Sequence, residues 1–237
     1  LVRSQPSEPF LYMKEYSMNV NLIALSKPTA YTECYSAEQL VAYAARVSNP
    51  ANQNNTETAG KLVRYLIKEN HWSPLEMVHM TMEIKTTRDI SRQILRHRSF
   101  SFQEFSQRYA LAAEFEYERE ARLQDTKNRQ NSIANDDVAF QEKFSMIQKK
   151  VLDTAMDAYD WALDNGIAKE QARALLPEGL TGTTLYMSGS LRSWIHYCEL
   201  RMANGTQKEH MDIAKRCWDI IGQHFPDVVA AVNENGN

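Results

Sequence analysis

Residues 96–109, RHRSFSFQEFSQRY, crowd reactive side chains into a short span. Arg96, His97 and Arg98 stand together at one end, and Ser106, Gln107 and Arg108 at the other. An arginine presents a flat fork of donors that matches phosphate and carboxylate oxygens. Three such forks within residues 96–108 can neutralise a phosphate or pyrophosphate. On charge alone, a basic cluster that caps a helix C-terminus is an equally good reading, because the helix dipole favours cations there. The second half of the stretch shifts the balance. Glu104, Ser106, Gln107 and Arg108 mix donors and acceptors, which suits a polar heterocycle and its sugar better than plain solvent.

Other candidate residues are weaker alone. His71, Glu76 and His79 are metal-ligand types, but Pro74 breaks helical register and no H-E-x-x-H spacing exists. That segment reads as a loop entering a strand, and no metal is expected. Arg173, Arg192 and Arg201 lie on late helical patterns, where a single arginine is ordinarily a surface residue. There is no G-x-G-x-x-G, no P-loop and no G-x-S-x-G elbow, so a dinucleotide would not be held by a Rossmann turn. No Pro-Cys pair marks a candidate thiolate nucleophile. The net charge of −3 provides no global basic field, which argues against a nucleic-acid-binding module.

These residues need a scaffold. The 237 residues, 43% hydrophobic and 24% charged, suffice for a soluble domain with a sizeable core. Three cysteines, Cys34, Cys198 and Cys217, without a C-x-x-C pair, fit a reduced cytoplasmic setting. No run of 18 apolar residues suggests a membrane span. Residues 1–17 read as a flexible extension and 18–230 as one domain. Strands are expected over 18–27 and over 77–86, where Val78, Met80, Met82 and Ile84 alternate with polar residues. A short strand is expected over 115–119 and a mobile polar loop over 123–137. Helices are expected over 36–48 with Ser36 as N-cap, 56–70 capped by Thr56, and 88–98 with Arg88, Arg92 and Arg96 on one stripe. Further helices are expected over 138–166, 168–177, 183–205 and 206–225. The fold class is α+β: a single domain with a small, mainly antiparallel sheet and a large helical layer.

The pattern arginine-histidine-arginine, seven residues, then serine (96–106) resembles the signature of the flavin-dependent thymidylate synthases. So do AARVSNP (44–50), HWSPLE (71–76), SRQILRHR (91–98), SQRY (106–109), ARALLP (172–177) and GSLRSWIHYCELR (189–201), in the family's order. The resemblance runs from about Asn19 to Phe225. It implies reductive methylation of dUMP to dTMP, with carbon from methylenetetrahydrofolate and hydride from FAD reduced by NADPH. It also implies a homotetramer with sites at subunit interfaces. By resemblance, Ser48, Ser73, Glu76, Arg96, His97, Arg98, Glu104, Ser190, Arg192 and His196 face FAD. Gln93, Arg96, Glu104, Phe105, Ser106, Gln107, Arg108, Arg173 and Arg201 face dUMP. Arg201 matches the arginine that polarises the pyrimidine at N3. Two positions depart from the family's usual asparagine: Ser190 and Glu178.

Overall fold

The structure is a computed structural model that describes residues 14–15, 17–112, 114–115 and 118–235. Its centre is a four-stranded antiparallel sheet. The strands are β2 (Asn19–Leu25), β3 (His79–Thr87), β8 (Gly182–Ser190) and β4 (Ser101–Glu104), in the order β2-β3-β8-β4. Two-residue strands complete the set. β1 (Lys14–Glu15) pairs in parallel with β5 (Glu114–Phe115), and β6 (Leu123–Gln124) pairs with β7 (Ser132–Ile133). The helices are α1 (Ala37–Ala45), α2 (Ala59–Lys68), α3 (Arg88–Ile94), α4 (Val138–Asp164), α5 (Lys169–Ala172), α6 (Leu191–Met202), α7 (Lys208–His224) and α8 (Pro226–Asn235). The expected α+β class is what forms.

The alternation over 77–86 works as expected. Val78, Met80, Met82 and Ile84 are each at most 1% exposed, and Leu185 and Met187 of β8 bury beside them. Helices α1, α2, α6, α7 and α8 cover that face. Each such side chain taken from water contributes about 1.5–3 kcal/mol before entropy is counted. At Gly189 a Cβ would sit 2.5 Å from the Phe100 ring, so the strand end and the ring approach closely only because the side chain is missing. A second core joins Leu152, Met156, Tyr159 and Ala162 of α4 to Ala172, Leu176, Leu180 and Phe115. It seats the segment that carries Arg173.

Of the two caps expected, Ser36 forms and Thr56 does not, while Asp137 is a cap that was not foreseen. The Ser36 side chain accepts from the Gln39 N–H, and Asp137 accepts from the Phe140 N–H. The long helix closes at Asn165, followed by Gly166 at φ 77°.

Several expectations need correction. The helix expected over 183–205 is two elements: β8 is a central strand with neighbours on both edges, and only α6 is helical. Thr183, Leu185, Met187 and Gly189 alternate toward the interior, and tertiary pairing decides the conformation. The second helix starts at Ala59, not after Thr56, because the Asn55 side chain takes the Thr58 N–H into a turn and Arg46 donates to Thr58 Oγ1. The helix expected over 88–98 ends at Ile94, so Arg96, His97 and Arg98 lie in the turn beyond it. The helix over 168–177 is one short α-turn followed by a 3-10 turn, Arg173–Leu175. The polar 123–137 segment contains the β6–β7 hairpin, whose turn is held by Asp125 accepting from Lys127 and Asn128 N–H groups. Strand β4 and helix α8 were not foreseen. Of the strand expected at 115–119, Phe115 is in β5, while Glu116 and Tyr117 lie outside the described residues. So do residues 1–13 and 16 of the expected extension.

Candidate active site

Helix α3 follows β3 without a break. Its first turn is pinned by Arg119, which donates to Asp89 at 2.7 and 2.9 Å and also to Thr87 Oγ1. Burial alone would raise the Asp89 carboxyl, but the hydrogen bonds from Arg119 and Thr87 outweigh it and hold that group below its ordinary range. Two different groups of polar side chains flank α3.

On one flank is a cavity of about 400 Å³ lined by Arg88, Arg92, Gln107, Glu170, Arg173, Glu178 and Thr181. Behind it sits Glu104, whose Oε1 accepts from Ser91 Oγ at 2.8 Å and Thr183 Oγ1 at 3.1 Å. Arg88 and Arg92 approach the same carboxylate at 3.8 and 4.0 Å. Arg108 pairs with Glu170 at 3.3 Å and Arg92 with Glu178 at 3.3 Å. Gln107 is 3% exposed, and its Nε2 has no hydrogen-bond partner among the described residues. Ser106 accepts from the Arg108 N–H at 3.4 Å, and Phe105 is exposed.

On the other flank, Arg201 Nε donates to His97 Nε2 at 2.8 Å. His97 is therefore a neutral acceptor with its proton on Nδ1. Burial, then the charge of Arg201, pushes its pKa down to about 4. His210 is fully buried and lies between Tyr197 OH at 3.1 Å and Gln93 Oε1 at 3.3 Å. Gln93 Nε2 donates to Gln207 Oε1 at 2.8 Å, which turns its carbonyl toward His210. His210 Nδ1 then donates to Gln93, and Nε2 accepts from Tyr197. Burial, with Arg201 and His97 nearby, pushes His210 down to about 3.

A third cluster surrounds a cavity of about 440 Å³ lined by Trp72, Glu76, Ser99, Arg192, Ser193, His196 and Glu199. Arg192 hydrogen-bonds Glu76. Ser190 caps α6, accepting from the Ser193 N–H. The cavity falls in the usual size range for a small-molecule site. An indole face, a guanidinium and an imidazole suit the rings and phosphates of a flavin dinucleotide.

The structure thus brings together Glu76, Arg192 and His196, and separately Gln107 and Arg173 with Glu104 behind them, and separately again Gln93, His97 and Arg201. Ser48 and Ser73 are exposed on 3-10 helical turns, and Arg96 and Arg98 are exposed in the turn after α3; none of the four lines either cavity, though the Arg96 charge reaches His97. Sequence reasoning missed His210 and did not assign Arg88 or Arg92. His210 shares the inward face of α7 with Ile213, Ala214 and Cys217, and that spacing reads as core. Among the described residues no three His, Cys, Asp or Glu side chains converge to hold a metal, and no helix is long and apolar enough to cross a membrane.

The family described as thymidylate synthase complementing protein matches residues 30–227. The chain is 50% identical over 216 residues to a probable flavin-dependent thymidylate synthase of Paramecium bursaria Chlorella virus 1, covering 91% of this chain and 99% of that one. It is 51% identical over 217 residues to the flavin-dependent thymidylate synthase of Synechocystis, again covering 91% and 99%. Among solved structures, the UMP/dUMP methylase PolB from Streptomyces cacaoi bound with 5-Br UMP aligns with a TM-score of 0.79 at 24% identity, covering 94% of this chain and 97% of that one. The same protein bound with 5-Br dUMP aligns with a TM-score of 0.76 at 26% identity, covering 92% and 96%. With a family match across most of its length and half of the aligned residues shared with two relatives that it covers almost end to end, the chain belongs to the flavin-dependent thymidylate synthase family.

Proposed function

We propose that this enzyme methylates dUMP to dTMP, taking the carbon from methylenetetrahydrofolate and the hydride from FAD reduced by NADPH. The observation that carries the proposal is the cationic cavity beside α3, where Gln107 and Arg173 line one space with Glu104 behind them. The family resemblance assigns these three residues to dUMP. Relatives named flavin-dependent thymidylate synthases, and a UMP/dUMP methylase bound with 5-Br dUMP, support the substrate and the cofactor. The three free thiols accord with a cytoplasmic setting.

Methylation at C5 needs electron density pushed toward that carbon. Arg201 spends its Nε on His97, which leaves its terminal nitrogens to donate to the N3/O4 edge of the pyrimidine and stabilise the anionic ring. His97, neutral and packed edge-on against Tyr197 at 4.9 Å, fixes the plane of that guanidinium. Arg173 and Gln107 hold the phosphate end, which supplies the proximity term. Ser106 orients the nucleotide by hydrogen bonding. It is not a nucleophile, because no general base is bonded to its hydroxyl among the described residues. Cys198 and Cys217 are fully buried, and burial pushes both thiols up, away from thiolate chemistry. Bound flavin supplies the hydride that completes the reduction, and Glu76, Arg192 and His196 are its expected contacts.

The nucleotide residues implied by the resemblance fall on two flanks of α3, so a complete site draws one flank from each of two chains in the proposed homotetramer. Helix α4 carries a surface for such assembly. Phe140, Phe144, Ile147 and Val151 are 37–51% exposed and lie at i, i+4, i+7 and i+11 on one stripe, separate from its buried Leu152–Met156–Tyr159 face. The proposal is tested by denaturing purified protein, identifying released FAD, and titrating the holoprotein with dUMP while following flavin absorption at about 450 nm. Released FAD and a saturable spectral change are expected. No flavin, and no binding of added FAD, would overturn it.

A further inference from the structure

Arg88 opens α3 with only 7% of its surface exposed. No hydrogen bond satisfies its guanidinium among the described residues, and its Nη1 is fully enclosed without a partner. Its nearest counter-charge is Glu104 at 3.8 Å, beyond hydrogen-bond reach, and the facing oxygen of Glu104 already accepts from Ser91 and Thr183. A buried cation left in that state is costly, because it has lost water without gaining full compensation. Arg88 also lines the cavity that holds Arg173 and the second enclosed, unpartnered donor, Gln107 Nε2.

The remaining charges in that cavity are already matched. Glu178 pairs with Arg92 and Glu170 with Arg108. Among the described residues Arg173 donates only to the backbone oxygen of Glu170, at 3.2 Å. Among the described residues two guanidinium groups, Arg88 and Arg173, are therefore left without a hydrogen-bonded carboxylate, beside an unused amide. An oxyanion carrying two negative charges complements that set. Burial, and the nearby charges of Arg92 and Arg173, work against the Arg88 cation, while Glu104 and Glu178 only partly offset them, so an entering anion adds the missing compensation.

We propose that Arg88 is a binding residue for the nucleotide's 5′-phosphate, donating from the floor of the cavity together with Gln107. The proposal rests on the dUMP reading above and adds a residue that the family resemblance does not assign. The chemistry it recognises is a phosphate monoester dianion, and on this account it contributes nothing to recognition of the base.

The test compares dUMP with uncharged deoxyuridine, each titrated into flavin-loaded parent, Arg88→Met and Arg88→Lys proteins. A charge-assisted hydrogen bond is worth enough that Arg88→Met should weaken dUMP binding roughly 10- to 150-fold. Deoxyuridine binding should change less than about 2-fold, and Arg88→Lys should fall between, keeping the charge but losing the fork. Equal losses for both ligands would mean that Arg88 only supports the local structure, and unchanged dUMP affinity would mean that it does not touch the phosphate. Either result overturns the inference. If Arg88→Met fails to give the parent's circular dichroism, the same comparison on Arg88→Lys decides. A flavin-loaded parent that binds deoxyuridine and dUMP equally would refute the phosphate site, whereas a parent that binds neither would refute the proposed function.

Discussion

The stability of the folded protein should fall on going from about pH 6 to about pH 5, and His210→Gln should abolish that fall. Folding lowers the His97 and His210 pKa values from 6.5 to about 4 and about 3, first through burial and then through neighbouring charge. A group lowered in this way stabilises the fold above its unfolded pKa, and that stability is lost as pH falls toward its folded value. Between about pH 6 and 5 the unfolded chain binds two protons that the folded one refuses. Glu38 acts oppositely. Burial, then Asp227, raises it from 4.5 to about 7, so the folded chain holds a proton there that the unfolded chain releases. Its contribution grows as pH falls through this window. Two protons minus one leaves one, and the parent should lose about 1.4 kcal/mol per pH unit. Urea unfolding measures this, at fixed protein concentration so that any contribution from association is held constant. His210→Gln should flatten the slope to near zero, while Glu38→Gln should steepen it to about 2.7 kcal/mol per pH unit. A His210→Gln slope equal to the parent's would show that this imidazole is not held neutral by the fold.

Other perturbations have distinct outcomes. Arg201→Ala should retain bound flavin yet turn over about 10²–10³ more slowly at saturating dUMP, because it removes one preorganised charged donor; unchanged turnover would refute its role at the pyrimidine. Replacing Cys34, Cys198 and Cys217 together with alanine should leave measurable dTMP synthesis in whatever protein folds, and a covalent uracil adduct on any of the three, trapped in the parent and detected by mass spectrometry, would contradict this. Ile147→Glu on the exposed α4 stripe should lower the mass seen by light scattering and abolish activity together; an active monomer would rule out sites shared between chains.

How far the sequence reached depended on whether a residue's meaning was local. The burial alternation over 78–84 was legible because Val78, Met80, Met82 and Ile84 face one core, and the Ser36 cap acts on its own backbone neighbours. Strand β8 was not legible. Its Thr, Ser and Gly residues take their conformation from β3 and β4 on either side, and Ser190 starts α6 with no proline or glycine break after the strand. The site was read through motif residues, yet the physical demand for a ligand is sharpest at Arg88 and Gln107, two donors whose enclosure appears only in three dimensions. His210 was hidden for a related reason: its bonds to Tyr197 and Gln93 span 13 and 117 residues of chain.

Reductive methylation of dUMP by a flavin-bearing enzyme can be measured directly. The most direct measurement incubates the purified holoprotein with dUMP, methylenetetrahydrofolate and NADPH, and quantifies dTMP and tetrahydrofolate, with each reactant omitted in turn. Expected are dTMP in step with NADPH oxidised, tetrahydrofolate rather than dihydrofolate as the folate product, and loss of activity when FAD is stripped that returns on adding it back. Formation of dTMP that persists without FAD and NADPH, or its absence from a fully flavin-loaded protein supplied with all reactants, would contradict it.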